Sequence, residues 1–92
     1  MSESTQSSIT VLYFAAASTA TGLTEEIVLI PSNGLPLSSL GDLLISRHLG
    51  TDLANVLQSS QWSVDAEMVD EPDSVVLKGG EEVAVICPVS GG

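Results

Sequence analysis

Two apolar, β-rich segments near opposite ends of the chain constrain its fold more than any other feature. The first, ITVLYFAAA at residues 9–17, is apolar at both odd and even positions, and VAVIC at residues 83–87 has the same property. A strand with two apolar faces belongs inside a sheet that is covered on both sides. We therefore expect both strands at the centre of one sheet, adjacent and parallel.

The chain between these strands predicts a hairpin partner and one main helix. EEIVLIP (Glu25–Pro31) is typical of a strand, and a turn at Gly22 would join it to the first strand as a hairpin. A Ser-x-x-Asp spacing at Ser39 and Asp42 is typical of a helix N-terminus. The helix would end near Gly50 and bury one apolar face. That face consists of Leu37, Leu40, Leu43 and Leu44.

Smaller elements complete the predicted architecture. Residues 52–58 predict a short helix capped by Asp52, residues 61–69 predict one or two short strands, and glycines 79 and 80 predict a turn before the last strand. This order indicates an α+β chain with the β-grasp (ubiquitin-like) layout, in which one main helix crosses one face of a mixed sheet. We expect a flexible N-terminus over residues 1–8, the domain over residues 9–87 and an extended tail over residues 88–92.

The charge balance narrows the classes of partner. Twelve acidic residues face two cations, Arg47 and Lys78, and the formal net charge of the 92-residue chain is −10. Such a surface repels nucleic acid and anionic membranes and favours basic protein partners. A phosphate-bearing substrate would find almost no counter-charge on this chain. Any chemistry on such an anion therefore needs cations from another protein.

Several features indicate a soluble, cytosolic protein. Cys87 is the only cysteine, so it has no internal disulfide partner, which fits a reducing compartment. The opening residues, MSESTQSS, lack the apolar core of a secretory signal and the arginines of a transit peptide. No apolar run approaches the length of a membrane span. We expect no membrane partner and no metal.

The C-terminal residues CPVSGG suit insertion into a narrow slot. Pro88 ends the last strand and turns the chain away from the sheet. The residues from Pro88 to Gly92 can extend roughly 16 Å from the domain. Gly91 and Gly92 lack a Cβ atom, so a channel can close tightly around the backbone. A carboxylate at this tip becomes an acyl donor once ATP adenylates it, because AMP is then the leaving group.

Three stretches of the sequence resemble a known family. They are VLYFAAA in the first strand, GGEEVAVI at the turn into the last strand, and PVSGG in the tail. With them, the order of elements from Ile9 to Gly92 is similar to that of the ubiquitin-like sulfur carriers, in particular the small subunits of molybdopterin synthase. The tail is the most specific of the three stretches.

The resemblance implies a function for the tail. Gly92 would be adenylated by a ubiquitin-activating-type enzyme and converted to a thiocarboxylate with ATP and a sulfur donor, with no permanently bound cofactor. Pro88, Val89, Ser90 and Gly91 would form the arm that enters the large catalytic subunit, in a complex expected to be a heterotetramer. There the sulfur would pass to cyclic pyranopterin monophosphate. The chain alone would not be an enzyme.

Three other functions remain open at this point. A carrier with the same chemistry could supply sulfur for thiolated tRNA or a thiazole ring. A ubiquitin-like modifier would join Gly92 to protein lysines. A passive interaction domain would make no use of its terminal glycines.

Single residues outside the tail favour structural interpretations. His48, the only histidine, fits the positive end of a helix better than a metal site. Cys87 fits a small buried hydrophobe better than a redox centre, Trp62 fits the core, and Lys78 fits a plain turn lysine slightly better than an interface cation. The acidic residues between positions 65 and 73 lack the spacing of a calcium loop and predict a solvated rim.

Overall fold

The computed structural model of the chain describes residues 6–87. The predicted tail, residues 88–92, and the first five residues lie outside the described part. Ten elements and one 3₁₀ helix follow one another in the chain. They are β1 (Gln6–Tyr13), α1 (Ala15–Thr21), β2 (Glu25–Pro31), β3 (Leu35–Pro36), α2 (Leu37–Arg47), α3 (Leu53–Ser59), β4 (Gln61–Val64), β5 (Glu67–Val69), the 3₁₀ helix Pro72–Ser74, β6 (Val76–Leu77) and β7 (Glu82–Ile86).

Five strands form the main sheet, in the order β2-β1-β7-β4-β5. β1 and β7 lie side by side and run parallel, from the pair Thr10 and Glu82 to the pair Tyr13 and Val85. The other neighbours in this sheet are antiparallel, and β3 pairs with β6 in a separate two-stranded ladder. The predicted β-grasp arrangement, with the first and last strands central and parallel, is confirmed.

One hydrophobic core lies between this sheet and the helices. The helix α2 crosses the sheet and buries Leu37, Leu40 and Leu44, as its leucine spacing predicted, while Leu43 is partly buried against the same core. The sheet contributes alternate residues of its strands, as expected for a face with a period of two. The fully buried sheet residues are Ile9, Val11, Tyr13, Val28, Ile30, Val83 and Val85.

The second face of the sheet is open in the part of the chain that the structure describes, so the prediction of two covering layers is wrong. Ile27 and Leu29 on β2 are each 57% exposed on that face. Buried residues from all three helices, including Ala17 of α1 and Leu53 of α3, belong to the core on the opposite face. The strand β1 has apolar residues on both faces, but only one of these faces packs in the core and the other is not covered.

The first strand is also displaced relative to the prediction. It ends at Tyr13, and the alanine-rich residues that follow form α1, because alanine has the highest helix propensity. Gly22 closes this helix in a left-handed conformation at φ 75° and donates its N–H to the carbonyl of Ser18. At its other end β1 begins at Gln6 rather than Ile9, because its first residues pair with the end of β2.

The helix α2 begins earlier than its predicted cap. Ser39 and Asp42 lie inside the helix, and Pro36 occupies the N-cap position without a side-chain capping bond. The N–H of Leu37 donates to the carbonyl of Val75 at 2.8 Å. This contact satisfies one of the free donors of the first turn, so the predicted capping box is not needed and does not form.

Candidate functional site

The structure defines the point from which the predicted tail leaves the domain. Cys87 follows β7 directly and is the last described residue. The neighbouring strand ends are those of β1, where Tyr13 pairs with Val85, and of β4, where Gln61 pairs with Ile86. The tail therefore starts at one end of the sheet, beside its central strands.

Cys87 is fixed by contacts on two sides. Its thiol donates to the carbonyl oxygen of Phe14 at 3.3 Å, and the hydroxyl oxygen of Ser60 lies 3.7 Å from its sulfur. The side chain is half-buried against the core and borders a shallow cavity of about 300 Å³ between α1 and α3. The predicted structural role fits these contacts, although the residue is not fully buried.

The open face of the sheet lies next to the root of the tail. We use the name "open face" for the side of the main sheet that faces away from the helices. Its residues include Thr10, Leu12, Glu25, Ile27, Leu29, Ser63, Met68, Glu82, Ala84 and Ile86, of which the small side chains Ser63 and Ala84 are buried. Ile86 immediately precedes Cys87, and Met68 at the far side is 53% exposed. Exposed large apolar side chains such as Ile27, Leu29 and Met68 are characteristic of a protein interaction site.

A charge cluster on the other side of the sheet joins α2 to the first two strands. The carboxylate of Glu26 accepts hydrogen bonds from the Tyr13 hydroxyl at 2.8 Å, from Nε2 of His48 at 2.9 Å and from Nε of Arg47 at 2.8 Å. Arg47 also forms an ion pair with Glu26 through Nη2. His48 is the C-cap residue of α2, as predicted, and its contact with Glu26 is a feature that the sequence did not indicate.

The pKa values of this cluster follow from its contacts. Burial by itself raises the pKa of Glu26, but the hydrogen bonds from His48, Tyr13 and Arg47 outweigh burial and hold the pKa below its ordinary value. Burial, and then the hydrogen bond to Glu26, raise the pKa of Tyr13 well above its ordinary value. Glu26 is therefore ionised and Tyr13 neutral at neutral pH.

The remaining candidate residues occupy separate places. Lys78 forms no ion pair within residues 6–87, and its backbone N–H donates to the Glu81 carboxylate in the glycine turn. Trp62 is partly buried against the core. The described residues contain no group of three or more side chains that could hold a metal ion. None of their helices is both long enough and apolar enough to cross a membrane.

The structure gives only the root of the tail, because the predicted site residues lie outside the described residues: Pro88, Val89, Ser90, Gly91 and Gly92. Two features, the Glu26 charge cluster and the open face, were not predicted from the sequence. Glu26 is separated from Arg47 and His48 by more than twenty positions, and no local pattern links them. The open face could have been suspected from the odd-position isoleucine and leucine of EEIVLIP, which alternate with the buried residues of β2.

Comparison with known proteins identifies a matching family and several similar proteins. Residues 11–92 match the ThiS family. The molybdopterin synthase sulfur carrier subunit of Mycosarcoma maydis is 42% identical over 87 residues, which cover 92% of this chain and 94% of that protein. Among solved structures, SAMP1 from Haloferax volcanii aligns with a TM-score of 0.76 at 20% identity, over 92% of this chain and 99% of that one.

A second solved structure is a protein–protein complex. It contains subunits 1 and 2 of the molybdopterin-converting factor from Helicobacter pylori, and it aligns with a TM-score of 0.59 at 22% identity over 92% of this chain and 99% of the matched chain. At these identities the two structures support the shared fold. The family match covers most of the chain, including the predicted tail. The chain belongs to the ThiS family of β-grasp proteins.

Proposed function

We propose that this chain is the sulfur carrier subunit of a molybdopterin synthase. The observation that carries the proposal is the family match through residue 92, together with a relative of that name at 42% identity over nearly the whole chain. The match includes the glycines to which the sequence pattern assigns the chemistry. In this function the folded domain positions the tail, and the tail carries the sulfur.

The proposed chemistry takes place on the carboxyl group of Gly92. Its oxygen attacks the α-phosphate of ATP, which releases pyrophosphate and leaves an acyl-adenylate. Hydrosulfide from the sulfur donor then forms a carbon–sulfur bond as the carbon–oxygen bond to AMP breaks, which gives the thiocarboxylate and releases AMP. Transfer of the sulfur to cyclic pyranopterin monophosphate, with an oxygen from water, restores the carboxylate. The nucleotide is bound by the activating enzyme, a ubiquitin-activating-type adenylyltransferase.

The open face is proposed as the surface that the large catalytic subunit covers. It is apolar and continuous with the root of the tail through Ile86 and Cys87. A partner seated there would have its own active site within the roughly 16 Å that a five-residue arm can reach. The complex of two subunits from Helicobacter pylori supports a large-subunit partner for a protein of this fold.

The charge of the chain supports the proposal that other proteins supply the cations that bind phosphate. With two cations in 92 residues, and Arg47 engaged by Glu26, the chain offers little to bind the phosphates of ATP or of the pterin. The cations that stabilise these anions are proposed to belong to the activating enzyme and to the large subunit. The net charge of −10 favours encounter with such basic surfaces.

Intact-mass spectrometry tests the carrier function directly. The chain is incubated with the activating enzyme, ATP and a sulfur donor, and we expect the mass change of one oxygen replaced by one sulfur at Gly92. A matched sample without ATP should keep its mass, and a variant lacking Gly91 and Gly92 should not be loaded. Amide linkage of Gly92 to lysines without thiocarboxylate formation would instead indicate a protein modifier and would overturn the proposal.

A further inference from the structure

A groove runs along the free edge of the main sheet, two strands from β7, which leads into the tail. Its volume is about 570 Å³, and it lies between β5 and the segment that contains the 3₁₀ helix. Neighbouring residues of a strand point to opposite faces, yet Glu67, Met68 and Val69 all line this groove. The groove therefore follows the edge of β5, which has no strand beyond it in the described sheet.

The groove combines an apolar floor with an acidic rim. The floor consists of three partly buried valines that also pack against the core: Val64, Val69 and Val75. Glu67, Asp70 and Glu71 are exposed along the rim. Their carboxylates accept no hydrogen bond and form no ion pair within residues 6–87, whereas the nearby Asp65 carboxylate accepts the N–H of Glu82 at 3.0 Å.

The charges of the chain argue against a second copy as the occupant. Each copy has a net charge of −10, and Arg47, one of its two cations, is engaged by Glu26. A metal ion is disfavoured as well, because the rim carboxylates do not converge into a group of three in the described residues. An unpaired acidic rim beside an apolar floor is complementary to lysine or arginine side chains that alternate with aliphatic ones.

We propose that the groove along β5 docks an extended basic segment of a protein partner. Aliphatic side chains of the segment would cover Val69 and Val75, and its cations would pair with Glu67 and Glu71. The free edge of β5 also leaves backbone groups available for an added strand. The groove meets the open face at Met68, so one partner could occupy both surfaces. The binding does not depend on sulfur loading, so this inference goes beyond the carrier function.

Titration of the isotope-labelled full-length chain with synthetic peptides, followed by NMR, tests this inference. The probe is a nine-residue blocked peptide of alternating lysine and valine. We expect saturable shift changes confined to the residues from Val64 to Val75, and binding that weakens with added salt. A peptide of alternating lysine and glycine should bind more weakly, because it has the charge without the aliphatic side chains.

Matched charge variants separate the groove from the general acidity of the chain. The variant Glu67→Gln/Glu71→Gln should weaken binding of the lysine–valine peptide by about fivefold, as expected for the loss of two surface ion pairs. The variant Asp42→Asn/Asp52→Asn makes the same change of charge on the helices and should bind as the parent does. Absence of saturable binding, equal binding of the lysine–glycine peptide, scattered shifts, or equal weakening in both variants would each overturn the inference.

Discussion

Glu26 joins three elements of the described chain through its carboxylate. It lies on β2 and accepts hydrogen bonds from β1, through Tyr13, and from the end of α2, through Arg47 and His48. Its side chain is 11% exposed, so water competes little for these bonds. Hydrogen bonds to a shielded charged group contribute more than those between exposed neutral groups.

Replacement of this carboxylate should destabilise the domain in a pH-dependent way. We expect Glu26→Gln to lower the free energy of unfolding by about 1–2 kcal/mol at neutral pH. The native pKa of Glu26 is depressed, so its contribution is complete above the unfolded-state pKa, about 4.3 for glutamate, and is lost as the pH falls through the native value. Urea unfolding at several pH values measures the difference.

The neighbouring residue provides the control for this prediction. Glu25→Gln removes the same charge from an exposed position and should change the free energy of unfolding little. A Glu26→Gln deficit that stays constant into the acid range would contradict the assignment, because it would indicate lost packing in place of lost charged hydrogen bonds.

At the scale of elements, the β4–β5 hairpin contains local backbone strain. Asp65 and Ala66 form its two-residue turn, with φ values of 50° and 71°. Such turns favour Asn or Asp followed by Gly, because both central residues have positive φ. Asp65 fits this preference and also binds β7 through its carboxylate. Ala66 does not fit it, because its Cβ atom is strained in the left-handed region.

Relief of this strain should stabilise the protein. We expect Ala66→Gly to raise the free energy of unfolding by about 0.5–1 kcal/mol, since the left-handed conformation costs alanine roughly 1–2 kcal/mol and the greater freedom of unfolded glycine offsets part of that gain. Thermal or urea unfolding measures the change. The control Ala54→Gly, in the helix α3, should lower stability by a similar amount. Destabilisation in both variants would contradict the turn assignment.

The element order was predictable because strand and helix patterns are local. Leucine spacing identified the buried face of α2, and two strands with apolar faces identified the sheet centre. The helix α1 was missed because ITVLYFAAA is almost continuously apolar, so hydrophobicity alone does not mark the change from strand to helix at Phe14. We predicted that elements of the chain cover both faces of the sheet. This prediction failed because apolar residues on a second face do not show whether the chain itself or a partner protein covers that face.

At the scale of the whole molecule, the apolar open face and the acidic surface indicate a protein that works bound to others. Ile27 and Leu29 are both more than half exposed although the helix side of the same strand is fully buried. Exposed large apolar residues on an edge strand are typical of a surface that another protein covers. The proposed large subunit would bury them next to the arm that it receives.

The proposed interface can be tested by substitutions on the open face. We expect Ile27→Ser/Leu29→Ser to weaken binding of the large catalytic subunit by about tenfold or more, since buried apolar anchors contribute strongly to such interfaces. Isothermal titration calorimetry measures the affinity, and unfolding curves check that the variant is folded. The control Leu49→Ser changes a residue that is 77% exposed beyond the end of α2 and should bind as the parent does. Equal effects of the two changes would exclude this face as the docking surface.

An isotope experiment follows the proposed transfer of sulfur from Gly92 to the product. The chain is loaded with a heavy sulfur isotope at its C-terminal thiocarboxylate, freed of the sulfur donor, and mixed with the large subunit and cyclic pyranopterin monophosphate. We expect the heavy isotope to leave the chain and to appear in the dithiolene of the product. Product formed without the isotope, or isotope retained on Gly92 while product accumulates, would contradict the proposed transfer.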